Sequence, residues 1–77
     1  MNWFINTFLA SLEDRYTKKG KLWITEKQVS VCRKYMHLGS LKGQMFIDSK
    51  DKRYMIQIAP NGCANFFILN KSTGFIV

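Results

Sequence analysis

A chain of 77 residues has room for one domain with a small core, because independent domains seldom fall below about 50 residues. An apolar content of 47%, with 14% aromatic residues, argues against disorder, and the 12 Lys and Arg against 5 Asp and Glu exclude mimicry of DNA by a carboxylate-rich surface. The net charge of +7 favours a polyanionic partner: nucleic acid, a nucleoprotein complex or an acidic protein surface.

The first predicted element is a helix over about residues 3 to 17. Trp3, Phe4, Ile5, Phe8, Leu9, Leu12 and Tyr16 recur at the three- and four-residue spacing that gives an apolar stripe. The segment reads as a core helix and not as a secretory signal, since it lacks a basic start, is interrupted by Asn6 and Thr7, and runs into Glu13 and Asp14. No apolar run approaches the roughly 18 residues needed to cross a bilayer, so no membrane partner is expected. Gly20 ends this helix. A second helix over about 26 to 38 begins at Thr25, a natural N-cap; Gln28 closes a capping box and Ile24 is placed to staple onto Val29. Its apolar face is Val29, Cys32 and Met36, flanked by Val31 and Tyr35. Gly39 is expected to supply a left-handed stop, leaving His37 in the last turn beside the negative end of the helix dipole.

After Gly43 the period changes from helical to alternating, which predicts an antiparallel β-meander over residues 44–77. Ala59-Pro60-Asn61-Gly62 closes best as a type I turn with Pro60 second and Gly62 in the left-handed position, because a two-residue Asn61-Gly62 turn would leave Pro60 in a ladder without an N–H. That choice pairs Ile58 with Ala64, Ile56 with Phe66, Met55 with Phe67 and Tyr54 with Ile68. A four-residue loop Ser49-Lys50-Asp51-Lys52 pairs Asp48 with Arg53, Ile47 with Tyr54 and Phe46 with Met55. One face then carries Tyr54, Ile56, Ile58, Ala64, Phe66 and Ile68, and the other Arg53, Met55, Gln57, Asn65, Phe67 and Leu69. Phe75-Ile76-Val77 adds a short fourth strand after the Asn70–Gly74 turn. The expected fold is α+β: a two-helix hairpin (3–38) packed on one face of a three- to four-stranded antiparallel meander.

Two surfaces carry functional signals. Arg15, Lys18, Lys19, Lys21, Lys27, Arg33 and Lys34 fall within one stretch opposed by Glu26 alone, which places a basic ridge on the helix-helix turn and its flanks. The positive N-terminus of the second helix points into the same region. Trp23, inside the ridge, either stacks on a base or plugs the junction of helices and sheet. Phe46, Met55 and Phe67 form a row on the outer sheet face, open to a second protomer, to a protein partner or to stacked bases. Catalysis has little support: five scattered acids and a single histidine supply no acid-base spacing. Cys32, Cys63 and His37 are too few for a disulfide framework or a four-ligand zinc site, so no metal or cofactor is expected and a reducing, cytoplasmic setting fits.

The segment Phe8 to Tyr35, above all Lys19-Gly20-Lys21-Leu22 followed by Thr25-Glu26-Lys27-Gln28, resembles a helix-turn-helix hairpin of small phage and mobile-element proteins. There the recurring form is Gly-x-Leu-Thr-x-Lys-Gln; here Trp23 and Ile24 stand between the Leu and the Thr. The resemblance implies an accessory protein of phage type, a class that handles DNA in replication or recombination and includes anti-CRISPR and other anti-defence inhibitors that dock on a host or defence nuclease. The expected function is binding of nucleic acid, or of a nucleic-acid-containing complex, through the ridge.

Overall fold

The computed structural model describes residues 3–60 and 63–77. The elements follow in the order α1 (Trp3–Lys19), β1 (Leu22–Ile24), α2 (Glu26–Arg33), β2 (His37–Leu38), β3 (Gln44–Asp48), β4 (Lys52–Ile58) and β5 (Ala64–Asn70). The strands form one five-stranded antiparallel sheet in the order β1-β5-β4-β3-β2. Both helices cover one face of it: Ile5, Leu9, Leu12 and Tyr16 of α1 and Val29 and Cys32 of α2 share a core with Met45, Ile47, Tyr54, Ile56, Phe66 and Ile68.

Helix α1 buries the four positions that fall on one stripe and leaves Trp3 and Phe4 exposed. It stops where Gly20 takes φ of +76° and its N–H reaches Tyr16 O at 2.6 Å, the left-handed cap expected of a glycine. The ion pair of Glu13 with Lys52, joined by Tyr54 Oη donating to Glu13 at 3.1 Å, ties the helix to β4. Burial first, and then the neighbouring Glu13 charge, push the Tyr54 phenol up to about 12, so it stays a donor at neutral pH.

The link between the helices is a strand and not a turn, which corrects the expected hairpin. Leu22 and Ile24 point into the core while Trp23 points out, because β1 pairs with β5 (Leu22 with Phe66, Ile24 with Ala64). Helix α2 starts as expected. Thr25 Oγ1 accepts from Gln28 N–H at 3.2 Å, and Gln28 Oε1 accepts from Thr25 N–H at 2.8 Å. Ile24 and Val29, the two ends of the staple, are buried in the same core. Thr25→Ala is expected to lower stability by about 1 kcal/mol and the melting midpoint by roughly 4–8 °C, read by thermal denaturation.

The end of α2 differs from expectation. The helix stops at Arg33, and His37 and Leu38 form β2 against Phe46 and Met45 of β3. Ladder hydrogen bonds to β3 outweigh the helical period there, so His37 is a strand residue and not a helix-terminal one. Gly39 does not take positive φ. Its role is close approach: a Cβ there would run into the Phe46 ring.

In the meander both expected registers hold, from Asp48 opposite Arg53 to Gln44 opposite Gln57, and from Lys52 opposite Asn70 to Ile58 opposite Ala64. The Asn61-Gly62 turn lies outside the described residues. At the C-terminal end, Asn70 Oδ1 accepts from the N–H groups of Ser72 and Thr73, and Ile76 forms a single bridge to Leu69 in place of a fourth meander strand. Val77 N–H donates to Ile68 O at 2.9 Å and Val77 O accepts from Tyr16 Oη at 3.2 Å, which anchors this segment beside β1.

Candidate nucleic-acid interface

Directly opposed residues of neighbouring strands share a face, so the pairings lay out the helix-free side of the sheet in rows. Trp23, Asn65, Gln57 and Gln44 form one; Phe67, Met55, Phe46 and His37 form the next; Ile76, Leu69, Arg53 and Asp48 form the last. Lys21, two residues before Trp23, falls on this face as well, and continuing the β1–β5 register by one step sets it beside Phe67. The edge strand β1 thus carries the tryptophan and one lysine of the basic stretch onto the side where the Phe46-Met55-Phe67 row lies.

Two rings of this face, Trp23 and Phe46, each have a cation. Lys21 Nζ stands 4.9 Å from the Trp23 ring centre, and the Arg53 guanidinium stands 5.2 Å from that of Phe46. Trp23 is 58% exposed and does not plug the junction of helices and sheet. Phe46 and Phe67 are half-buried, whereas Met55, expected on an open row, is only 8% exposed. It forms the floor between them. Towards the last row the surface deepens into a cleft of about 770 Å³, with Met55 and Leu69 below, Phe46, Phe75 and Ile76 at the sides, and Arg53 and Lys71 at its rim. Asp48 binds Arg53 Nε at 2.6 Å and His37 Nε2 at 3.3 Å, and Arg53, with His37 adding to it, holds the Asp48 carboxyl below its usual range. The pairing fixes Arg53 over the Phe46 ring.

The basic ridge is not continuous. Arg15 and Lys18 are exposed on the last turns of α1 and lead into Lys21; the side chain of Lys19 lies outside the described ones. Lys27 and Lys34 line a shallow depression with Phe4 and Tyr35, at the other end of α1. At 1.5 Å per residue, Phe4 is about 16 Å along the helix axis from Arg15. Arg33 is exposed at the end of α2. Of the ridge, the sheet register therefore places Lys21 on the aromatic face, whereas Arg15 and Lys18 on α1, and Lys27, Arg33 and Lys34 on α2 and its cap, belong to the helical layer. Acids blunt it little: Glu13 and Asp48 are held by other cations, and Lys18 alone of the ridge residues is ion-paired among the described residues, to Asp14 at 3.4 Å.

Arg53, Lys71, Asn65 and Phe75 belong to this surface and were not singled out from the sequence. For Arg53 and Asn65 the signal was present, since the register places both on the outer face. For Lys71 and Phe75 it was absent, because nothing local tells which side of β5 the last turn folds towards. Of the remaining reactive groups, Cys32 is buried and its thiol is pushed up to about 11 by that burial, which makes it inert. Among the described residues no His, Cys, Asp and Glu cluster in a metal-binding arrangement, and no helix is long and apolar enough to cross a membrane. No protein-family model matches the chain, and no curated protein or solved structure matches it.

Proposed function

We propose that this protein is a small non-enzymatic nucleic-acid-binding protein that holds a single strand across the helix-free face of its sheet. One observation carries the reading: β1 brings Lys21 and Trp23 of the basic stretch onto the same face as Phe67, Met55 and Phe46. Flat rings interleaved with cations suit unpaired bases, because every base has a stacking face and every step carries a phosphate. A duplex keeps its bases stacked on one another and offers this face only its backbone. Arg15 and Lys18, exposed on the last turns of α1, add to the positive field, and the partner is a bare strand or a nucleoprotein with an accessible single strand. The setting is the reducing cytoplasm, where Cys32 and Cys63 remain thiols.

Fluorescence anisotropy with labelled 12-mers tests this. Single strands are expected to bind more tightly than the matching duplex, with a log–log salt slope of several counterions. Replacing Lys18, Lys19 and Lys21 by Gln should flatten that slope by up to about three. The apolar cleft beside Phe75, itself 75% exposed, favours protein contact as the rival class, either as an inhibitor of phage type docking on a host or defence nuclease or as a homodimer formed through this face. Absence of binding to every oligonucleotide, with self-association or nuclease binding in its place, would establish the rival.

A further inference from the structure

The row nearest the β4–β5 turn holds a polar atom that the fold leaves unsatisfied. Asn65 is 8% exposed, and its Oδ1 is buried without a hydrogen-bond partner. Such an oxygen has lost water and gained nothing, which destabilises the free protein, so a chain selected for stability alone would place an apolar side chain there. Asn65 also lines a depression of about 760 Å³, together with the Gln57 amide, the apolar Ile58, Ala59 and Pro60, and the ammonium of Lys42. Its cross-strand partner on the other side is Trp23. The depression has a flat apolar wall, an acceptor, an amide and a cation, the four things a nucleotide asks for.

We infer that this depression receives one base of the bound strand, stacked beside Trp23, and selects a base whose Watson–Crick edge sets an exocyclic amino group beside an accepting ring nitrogen, the amino N–H donating to Asn65 Oδ1. The inference rests on the single-strand reading above and adds specificity to it. Adenine and cytosine carry such a donor next to a ring nitrogen that accepts, and the Gln57 amide is placed to supply the complementary N–H. Thymine and uracil present a carbonyl oxygen at the corresponding position, which meets the Asn65 oxygen with repulsion. Lys42 is suited to the phosphate of the same nucleotide. Trp23 and Gln57, the cross-strand neighbours of Asn65, are both exposed, so a base edge reaches the oxygen by displacing exposed side chains.

Binding of dA12, dC12 and dT12 to the whole protein and to Asn65→Leu separates the outcomes. The wild type is expected to prefer dA12 and dC12 over dT12 by about tenfold, the size of one hydrogen bond gained against one buried acceptor left unmet. Asn65→Leu should bind all three within about twofold of one another, at the level of wild type on dT12. It should also melt at a temperature no lower than wild type, because the orphaned oxygen is gone; this readout shows that a lost preference is not lost folding. Equal binding of the three strands by the wild type, or a preference that survives Asn65→Leu, overturns the inference and leaves the single-strand reading standing. Failure to bind any strand brings down both.

Discussion

Phe66→Ser is expected to unfold the chain or to lower its melting midpoint by more than about 12 °C, whereas Phe67→Ser, one position along the same strand, is expected to leave the fold in place. Phe66 is fully buried at the centre of the core, with its ring centre 6.1 Å from Tyr16 and 5.8 Å from Tyr54. Truncating a buried Phe costs about 3–5 kcal/mol, and the serine hydroxyl adds an unsatisfied polar group. At about 0.05–0.15 kcal/mol per residue a chain of this length has little to lose. Phe67 points to the opposite face, outside that core, and its loss should appear in binding. Circular dichroism melts of the two variants decide it, and the reverse ranking would mean that the faces of β5 are exchanged.

Trp23→Ala is expected to weaken single-strand binding by about 5- to 150-fold, the range that follows from stacking worth roughly 1–3 kcal/mol per base. The indole is more than half exposed and lies outside the core, so the variant should fold. Trp3 is the matched control, since it is 78% exposed at the far end of α1 and has no place on the sheet. Trp3→Ala should leave affinity unchanged. Equal losses from the two variants would assign the effect to general hydrophobicity and remove Trp23 from the interface.

Much of this architecture is legible in the residues. One meander register follows from the turn chemistry of Pro60 and Gly62 and the other from keeping Met45 and Ile47 on the apolar side, because alternation lets each loop length dictate which side chains share a face. The capping box at Thr25 and Gln28 is equally local. What is not legible depends on partners distant in the chain. Leu22–Ile24 and His37–Leu38 are too short to show a period, and they become strands only through ladders to β5 and β3. Hence the expected hairpin of two helices is a helix, a strand and a shorter helix, and His37 leaves the helix that its neighbours suggest. The candidate site shares that limit. The charge of Arg15 to Lys34 and the Phe46-Met55-Phe67 row are each visible in the sequence, but only the β1–β5 pairing shows that Lys21 and Trp23 reach the face of the row while the cations carried by α1 and α2 stay on the helical layer. The orphaned Asn65 oxygen has no sequence signature at all, since burial and partners are properties of the folded chain.

If unpaired bases stack on the helix-free face at Trp23, the indole must respond to a bound strand. In a Trp3→Phe background Trp23 is the sole tryptophan, so its emission reports on that position alone. Titration with dA12 should quench this emission in step with binding measured independently by anisotropy, and the same sequence as a duplex should bind more weakly and quench little. A single strand that binds with full affinity while leaving Trp23 emission unchanged would rule out stacking at Trp23 and place the interface elsewhere.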